Sequence, residues 1–196
     1  MGAPAIAIGF VDSERMRVGS LYGEAFRRKL QPAFADEETG LRIVRAALRA
    51  ERMLVARVED VVVGVCGFLD QGIGAMHLPW ATLKSALPLH QAARAALATS
   101  VLARDEARDR LVLDGICVDR AHRGGGIGTA LLGAAEQHAH ERGLHAVQLS
   151  VVDSNPRAEA LYRRRGFTTV GGGSLGLLGY VYGFDRYSVM EKEVSR

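Results

Sequence analysis

The segment LVLDGICVDRAHRGGGIGTALLGAAEQHAHERGLHAVQLSVV, residues 111–152, constrains the fold more than any other part of the chain. Its two ends, LVLDGICV and AVQLSVV, are aliphatic and β-branched and predict strands over 111–118 and 146–152. The middle predicts a helix over 126–142. A strand, a helix and a strand in that order are satisfied by two parallel strands bridged by a crossover helix, because a parallel pair needs a long connection. Four glycines fall in the seven residues 122–128, directly before that helix. Glycine lets the main chain turn sharply and lets a ligand come close to it. A helix start carries unpaired N–H groups and about half a positive charge. Together they predict a seat for an anion, of which phosphate is the natural occupant.

The remaining elements predict a mixed α+β sheet, mostly antiparallel, flanked by helices. AIAIGF (5–10) predicts a first strand. Residues 13–30 predict a helix with Met16, Leu21, Ala25 and Phe26 loosely on one face, and a second helix follows near 37–51. MLVARVED and VVVGVCGFLD predict a strand pair turned at Glu59–Asp60. Residues 71–110 then break the pattern as a helical insertion between the third and fourth core strands, a candidate lid. NPRAEALYRRR (155–165) predicts a helix with Asn155 as N-cap, Pro156 at the first helical position and Gly166 past its end. FTTVGG and FDRYSVMEKEV predict a last strand pair, joined by the glycine-rich GGGSLGLLGY. A length of 196 residues suits one domain spanning 1–196.

Composition narrows the partners. A net charge of +3 without a dense Lys/Arg run argues against nucleic acid. No run of about 18 apolar residues is present, which argues against a membrane span. MGAPAIAIGF lacks the basic start of a signal peptide, so a soluble cytoplasmic protein is expected. Two cysteines, Cys66 and Cys117, both in apolar strands, predict buried reduced thiols rather than a disulfide framework. No metal site is expected: His138 and His140 lie two apart on a helix and face differently.

Two known phosphate loops do not fit the glycines. The dinucleotide fingerprint needs Gly or Ala where Thr129 or Leu131 stands, and the P-loop needs a Lys that is missing. RGGGIG (123–128) resembles instead the coenzyme A loop [RQ]-x-x-G-x-[GA] of the GNAT superfamily of N-acetyltransferases. NPRAEALYRRRGF (155–167) resembles that family's N-x-x-A-x-x-L-Y-x-x-x-G-F segment at Asn155, Ala158, Leu161, Tyr162, Gly166 and Phe167. The likeness is close over about 110–170 and weaker before it.

The resemblance implies acetyl-CoA as co-substrate and a primary amine as acceptor, attacked directly. It implies that main-chain groups of Arg123, Gly124, Gly125, Gly126, Ile127, Gly128 and Thr129 hold the pyrophosphate. It places the pantetheine arm along Ile116, Cys117 and Val118, with Cys117 contributing backbone rather than thiol, and it adds Asn155 to the coenzyme site. By spacing alone Tyr162 is a core aromatic; the resemblance makes it the general acid toward sulfur. The Val118 N–H would take the oxyanion. An alkylammonium of pKa ~10 is about 0.1% neutral at pH 7, so a base is needed. Asp114, a carboxylate on an otherwise apolar strand, is the candidate. Alternation puts it on the face of Ile116 and Val118; pairing with an Arg or capping a loop would equally explain it.

The acceptor side is less determined. The loops after strand 61–70 and at 171–180 are expected together at the sheet end opposite the pyrophosphate. Glu37, Glu38 and Asp70 could meet a cationic amine, though surface charge explains each, and Trp80 could line a pocket or anchor the insertion. A small-molecule amine is favoured. A protein or peptide N-acetyltransferase and a non-catalytic acyl-CoA sensor remain as alternatives, and the resemblance also allows a homodimer.

Overall fold

A computed structural model describes residues 2–30, 33–34, 36–70, 72–100 and 109–194, with the side chains of 25–30 left aside. Among the described residues the strands are β1 (Ala5–Ile8), β2 (Met53–Val58), β3 (Val61–Phe68), β4 (Arg110–Val118), β5 (Ala146–Val152), β6 (Thr168–Ser174) and β7 (Arg186–Glu193). The helices are α1 (Arg15–Leu30), α2 (Glu37–Ala47), α3 (Trp80–Ala86), α4 (Leu89–Ser100), α5 (Ile127–Glu141), α6 (Pro156–Arg164) and the single turn α7 (Gly179–Tyr182). The sheet runs β1-β2-β3-β4-β5-β7-β6 and is antiparallel at every contact but β4–β5. This is the mixed sheet expected from the crossover.

Local chemistry sets several boundaries. Glu59 and Asp60 both take positive φ, 51° and 62°, which suits a two-residue hairpin turn between twisted strands. Asp36 caps α2 by accepting the Thr39 N–H at 2.7 Å. That helix stops at Ala47 rather than near 51, because Leu48 turns extended and bridges to Met76. The apolar face of α1 is Val18, Leu21 and Tyr22; Met16 is 60% exposed and does not belong to it. The expected Ala25 and Phe26 lie outside the described side chains.

Each face of the sheet carries its own core. On one, α5 and α6 bury Ile127, Leu131, Leu132, Ala135 and Tyr162 against β3, β4 and β5. On the other, α1 and α2 pack with the insertion, whose Ala75, Leu83, Leu87, Ala92, Ala95 and Ala98 are all buried. Segment 72–100 of the insertion therefore supplies core side chains as well as covering that face. Glu136 on α5 accepts from Arg165 at 2.9 Å and from Lys192 on β7 at 2.8 Å, clamping the end of α6 to α5 and the sheet. No described helix is long and apolar enough to cross a membrane.

Candidate active site

The β4–β5 pair is short. Register partners run only from Arg110↔Ala146 to Val112↔Gln148. Beyond Val112, β4 keeps its other partner, β3, up to Gly64↔Val118, while β5 keeps β7. The two parallel strands thus part in mid-sheet and leave the inner edge of β4 without a strand beside it. The Asp119 N–H donates to Val63 at 2.8 Å, toward β3. Backbone direction alternates along a strand, so Cys117 also addresses β3, and the N–H and C=O of Ile116 and Val118 address the gap. The Val118 carbonyl there accepts Arg123 Nε at 3.0 Å. Cys117 pairs with Val65 and its thiol is buried.

A bulge changes what Asp114 faces. The Val112 carbonyl accepts from Leu69 N–H, also toward β3. Residues 112 and 119 differ by an odd number, so an extra residue lies between them, where the register jumps from Gly67↔Gly115 to Phe68↔Leu113. Leu113, Ile116 and Val118 stay with the α5 side, whereas Asp114 turns to the α1 side. The alternation that placed Asp114 with Ile116 and Val118 is corrected by this bulge. Its carboxylate accepts the Ala75 N–H at 2.9 Å and the Tyr22 hydroxyl at 3.3 Å.

The glycine loop follows β4. Gly124 and Gly126 take φ of +84° and +81°, conformations that L side chains rarely adopt, and a Cβ on either would meet open space. Gly126 is the N-cap of α5, and the first helical bond is Ala130 N–H to the Gly126 carbonyl. The Gly125 N–H makes a long bond to His122 at 3.4 Å. Among the described residues, the N–H groups of Gly124, Gly126, Ile127, Gly128 and Thr129 have no carbonyl to bond. Gly128 has another use: a Cβ there would stand 3.1 Å from Leu161 and 3.9 Å from Val118. The start of α5, the end of β4 and α6 therefore meet at one point. Tyr162, 8% exposed, is the next residue on α6 and stacks tilted on Phe167 at 6.0 Å. It lies in the core on the α5 side. Asn155 caps α6, its Oδ1 accepting the Ala158 N–H at 3.3 Å.

Charge around the loop is balanced by two acids that the sequence did not single out for this place. Glu24 on α1 accepts Arg120 Nε at 2.6 Å and lies 3.8 Å from Arg123. Asp119 accepts the Ala121 N–H, which with the Arg17 guanidinium holds its carboxyl below the usual carboxylate range. His122 Nδ1 is 3.8 Å from Asp119.

The residues considered for the acceptor separate. Asp70 is bound by Arg142 at 2.6 Å and by Arg52, and Arg142 above all holds its carboxyl low; this pair of cations leaves it a structural acid at the far end of β3. Glu37 and Glu38 are exposed on the first turn of α2, and Trp80 opens α3, partly exposed. The two loops expected together at one sheet end are not. The β6 strand extends through Ser174, and Arg186 pairs with Asp153 just past β5. The β6–β7 connection therefore sits at the end of β5, the same sheet end as the glycine loop, while the loop after β3 sits at the opposite one. The reason is that β7 is antiparallel to β5 over its whole length. Tyr182 in that connection is buried and donates its hydroxyl to the Ala98 carbonyl of α4 at 2.9 Å, joining it to the insertion.

The model of the acetyltransferase (GNAT) family matches residues 17–167. The chain belongs to the GNAT acetyltransferase family. This acetyltransferase uses acetyl-CoA, and the open amides of the 123–129 loop at the start of α5 fit a diphosphate. Its fold is that of N-acetyltransferase from Staphylococcus aureus Mu50, with a TM-score of 0.69 and 19% identity over 96% of this chain and 100% of that one. It is similar to the ribosomal-protein-S18-alanine N-acetyltransferase from Escherichia coli, with a TM-score of 0.59 and 17% identity over 99% and 96% of the chains. It is also similar to yncA from Salmonella typhimurium, solved with its cofactor acetyl-CoA, with a TM-score of 0.57 and 16% identity over 100% and 96%. No curated protein is significantly similar to it in sequence.

Tyr22 and Glu24 are the residues that sequence reasoning missed. Both sit on α1, far from the motifs, and only the packing of α1 across β3 and β4 brings them to the site.

Proposed function

We propose that this acetyltransferase moves the acetyl group of acetyl-CoA to the primary amine of a small molecule, by direct attack. The observation that carries the small-molecule reading is the insertion. Segment 72–100 is packed onto the face of the sheet where Asp114 lies, and α4 is joined to α7 through Tyr182. A face covered in this way suits a compact acceptor better than an extended chain.

Acetyl-CoA supplies the acyl group as a thioester. The N–H groups from Gly124 to Thr129 hold its diphosphate, with Arg123 adding charge, and Ile116 and Val118 offer main-chain groups to its arm. Cys117 supports that strand from the β3 side. Asn155 shapes the site by fixing the start of α6. Asp114 removes the proton of the ammonium, directly or through one water, and Tyr162 delivers a proton to the departing sulfur. Each such transfer is worth about 10²–10⁴-fold. Neither cysteine serves as a nucleophile: burial pushes the Cys66 thiol up, and Cys117 points into the core.

Thiol release from acetyl-CoA, followed over a panel of small amines, amino acids and short peptides, tests this function. Release with a small amine and none with peptides is expected. Preference for peptides would make the chain a protein N-acetyltransferase. Tight coenzyme binding without release from any amine would make it an acyl-CoA sensor.

A further inference from the structure

We infer that Tyr22 of α1 is a positioning residue for the reaction: its phenol, together with the space left by Gly67 and Gly74, fixes the Asp114 carboxylate in the orientation from which it removes the acceptor's proton. This rests on the assignment of Asp114 as base.

The geometry singles out the carboxylate. Asp114 is the extra residue of the β4 bulge and so points out of the alternation of its strand. Its two oxygens have different partners. Oδ2 accepts the Ala75 N–H at 2.9 Å, from the segment that leads into α3; Oδ1 accepts the Tyr22 hydroxyl at 3.3 Å. Tyr22 is 2% exposed, and a phenol buried that deeply needs an acceptor. Two glycines make the room. A Cβ on Gly67 would stand 2.1 Å from Oδ1 and 2.7 Å from the Ala75 Cβ. A Cβ on Gly74 would stand 2.9 Å from Oδ2, with its next neighbour, Leu69, at 3.7 Å. Tyr22 from α1 and Cys66 from β3 are titratable side chains that face Asp114, and the Cys66 thiol is pushed up by burial first and by Asp114 second. The segment before α3 brings a main-chain amide.

A hydrogen bond donated to a carboxylate favours its charged form. Removing the phenol hydroxyl therefore raises the pH at which Asp114 titrates, and the loosened carboxylate leaves its working orientation. A residue that only filled the core would do neither when replaced by a ring of the same shape.

The experiment compares Tyr22→Phe, Gly74→Ala, Asp114→Asn and the parent enzyme on the amine found by thiol release. Carbon-13 NMR of the Asp114 carboxyl reads its titration without reference to activity. Tyr22→Phe is expected to move that titration up by about one pH unit. It is expected to lower kcat about tenfold while leaving the KM for acetyl-CoA unchanged. Gly74→Ala, which keeps both donors and displaces the carboxylate, is expected to lower kcat with the same KM. An unmoved Asp114 titration in Tyr22→Phe overturns the proposal. So does a moved titration with kcat intact in both variants while Asp114→Asn is inactive. Full turnover in Asp114→Asn overturns the base assignment beneath it, whatever Tyr22→Phe does to the titration.

Discussion

Gly126→Glu is expected to abolish acetyl-CoA binding, with a loss of affinity of about a thousandfold or more. Gly126 holds φ at +81° as the N-cap of α5, and a Cβ there enters the open space in front of the unpaired amides. A glutamate would place its own carboxylate where the diphosphate belongs, satisfying some of the N–H groups and repelling the ligand's charge. Hydrogen bonds to a charged group contribute about 1.5–3 kcal/mol each. Losing two of them at about 2 kcal/mol each is about 4 kcal/mol, which is close to a thousandfold in affinity. The backbone itself resists a side chain at this φ, so Gly126→Asn is the matched comparison. Asn tolerates left-handed geometry and carries no charge. It is expected to bind measurably where Glu does not. Isothermal titration calorimetry checks both, and equal loss in the two variants would assign the effect to backbone strain instead.

Tyr162→Phe is expected to lower turnover by about 10²-fold or more while the Kd for acetyl-CoA stays within about twofold. The ring is buried in the apolar cluster on the α5 side of the sheet and packs on Phe167, so Phe keeps the apolar contacts and removes only the hydroxyl. Both ends of α6 have anchors of their own. The helix is held by the Asn155 cap at one end and by Arg165 on Glu136 at the other. Single-turnover kinetics separate the acyl-transfer step from coenzyme binding. Unchanged turnover on the accepted amine would remove Tyr162 as the acid and leave it a core aromatic, which is what its spacing alone predicts.

The parts of this site that were legible in the sequence are those carried by contiguous chain. The strand, glycine loop and helix from 111 to 142 had to bring loop amides to a helix start, because the order of elements permits little else. Asn155, Pro156 and Gly166 announced both ends of α6, and the structure has the cap, the proline and a positive φ at 166 where the residue types require them. Asp114 was visible as a carboxylate out of place, but its direction was not. Strand alternation carries no record of a bulge, which depends on pairing with β3. The two glycines that make room for it lie on β3 and in the insertion, and nothing in their local sequence ties them to residue 114. Tyr22 and Glu24 were hidden for the same reason. A helix one face of the sheet away contributes side chains through packing, and packing has no linear signature. The placement of the β6–β7 connection followed from strand direction, which is fixed by a pairing between β5 and β7 that spans thirty-odd residues of intervening chain.

On the function proposed above, main-chain amides between 124 and 129 hold the coenzyme's diphosphate. Amide proton–nitrogen NMR of the labelled enzyme, titrated with acetyl-CoA, addresses those groups one by one. Large shifts and slowed exchange are expected at Gly124, Gly126, Ile127, Gly128 and Thr129, with little change at Ala130, whose N–H is already bonded to the Gly126 carbonyl. Saturable binding with those five resonances unmoved, and the shifts gathered elsewhere on the sheet, would contradict it.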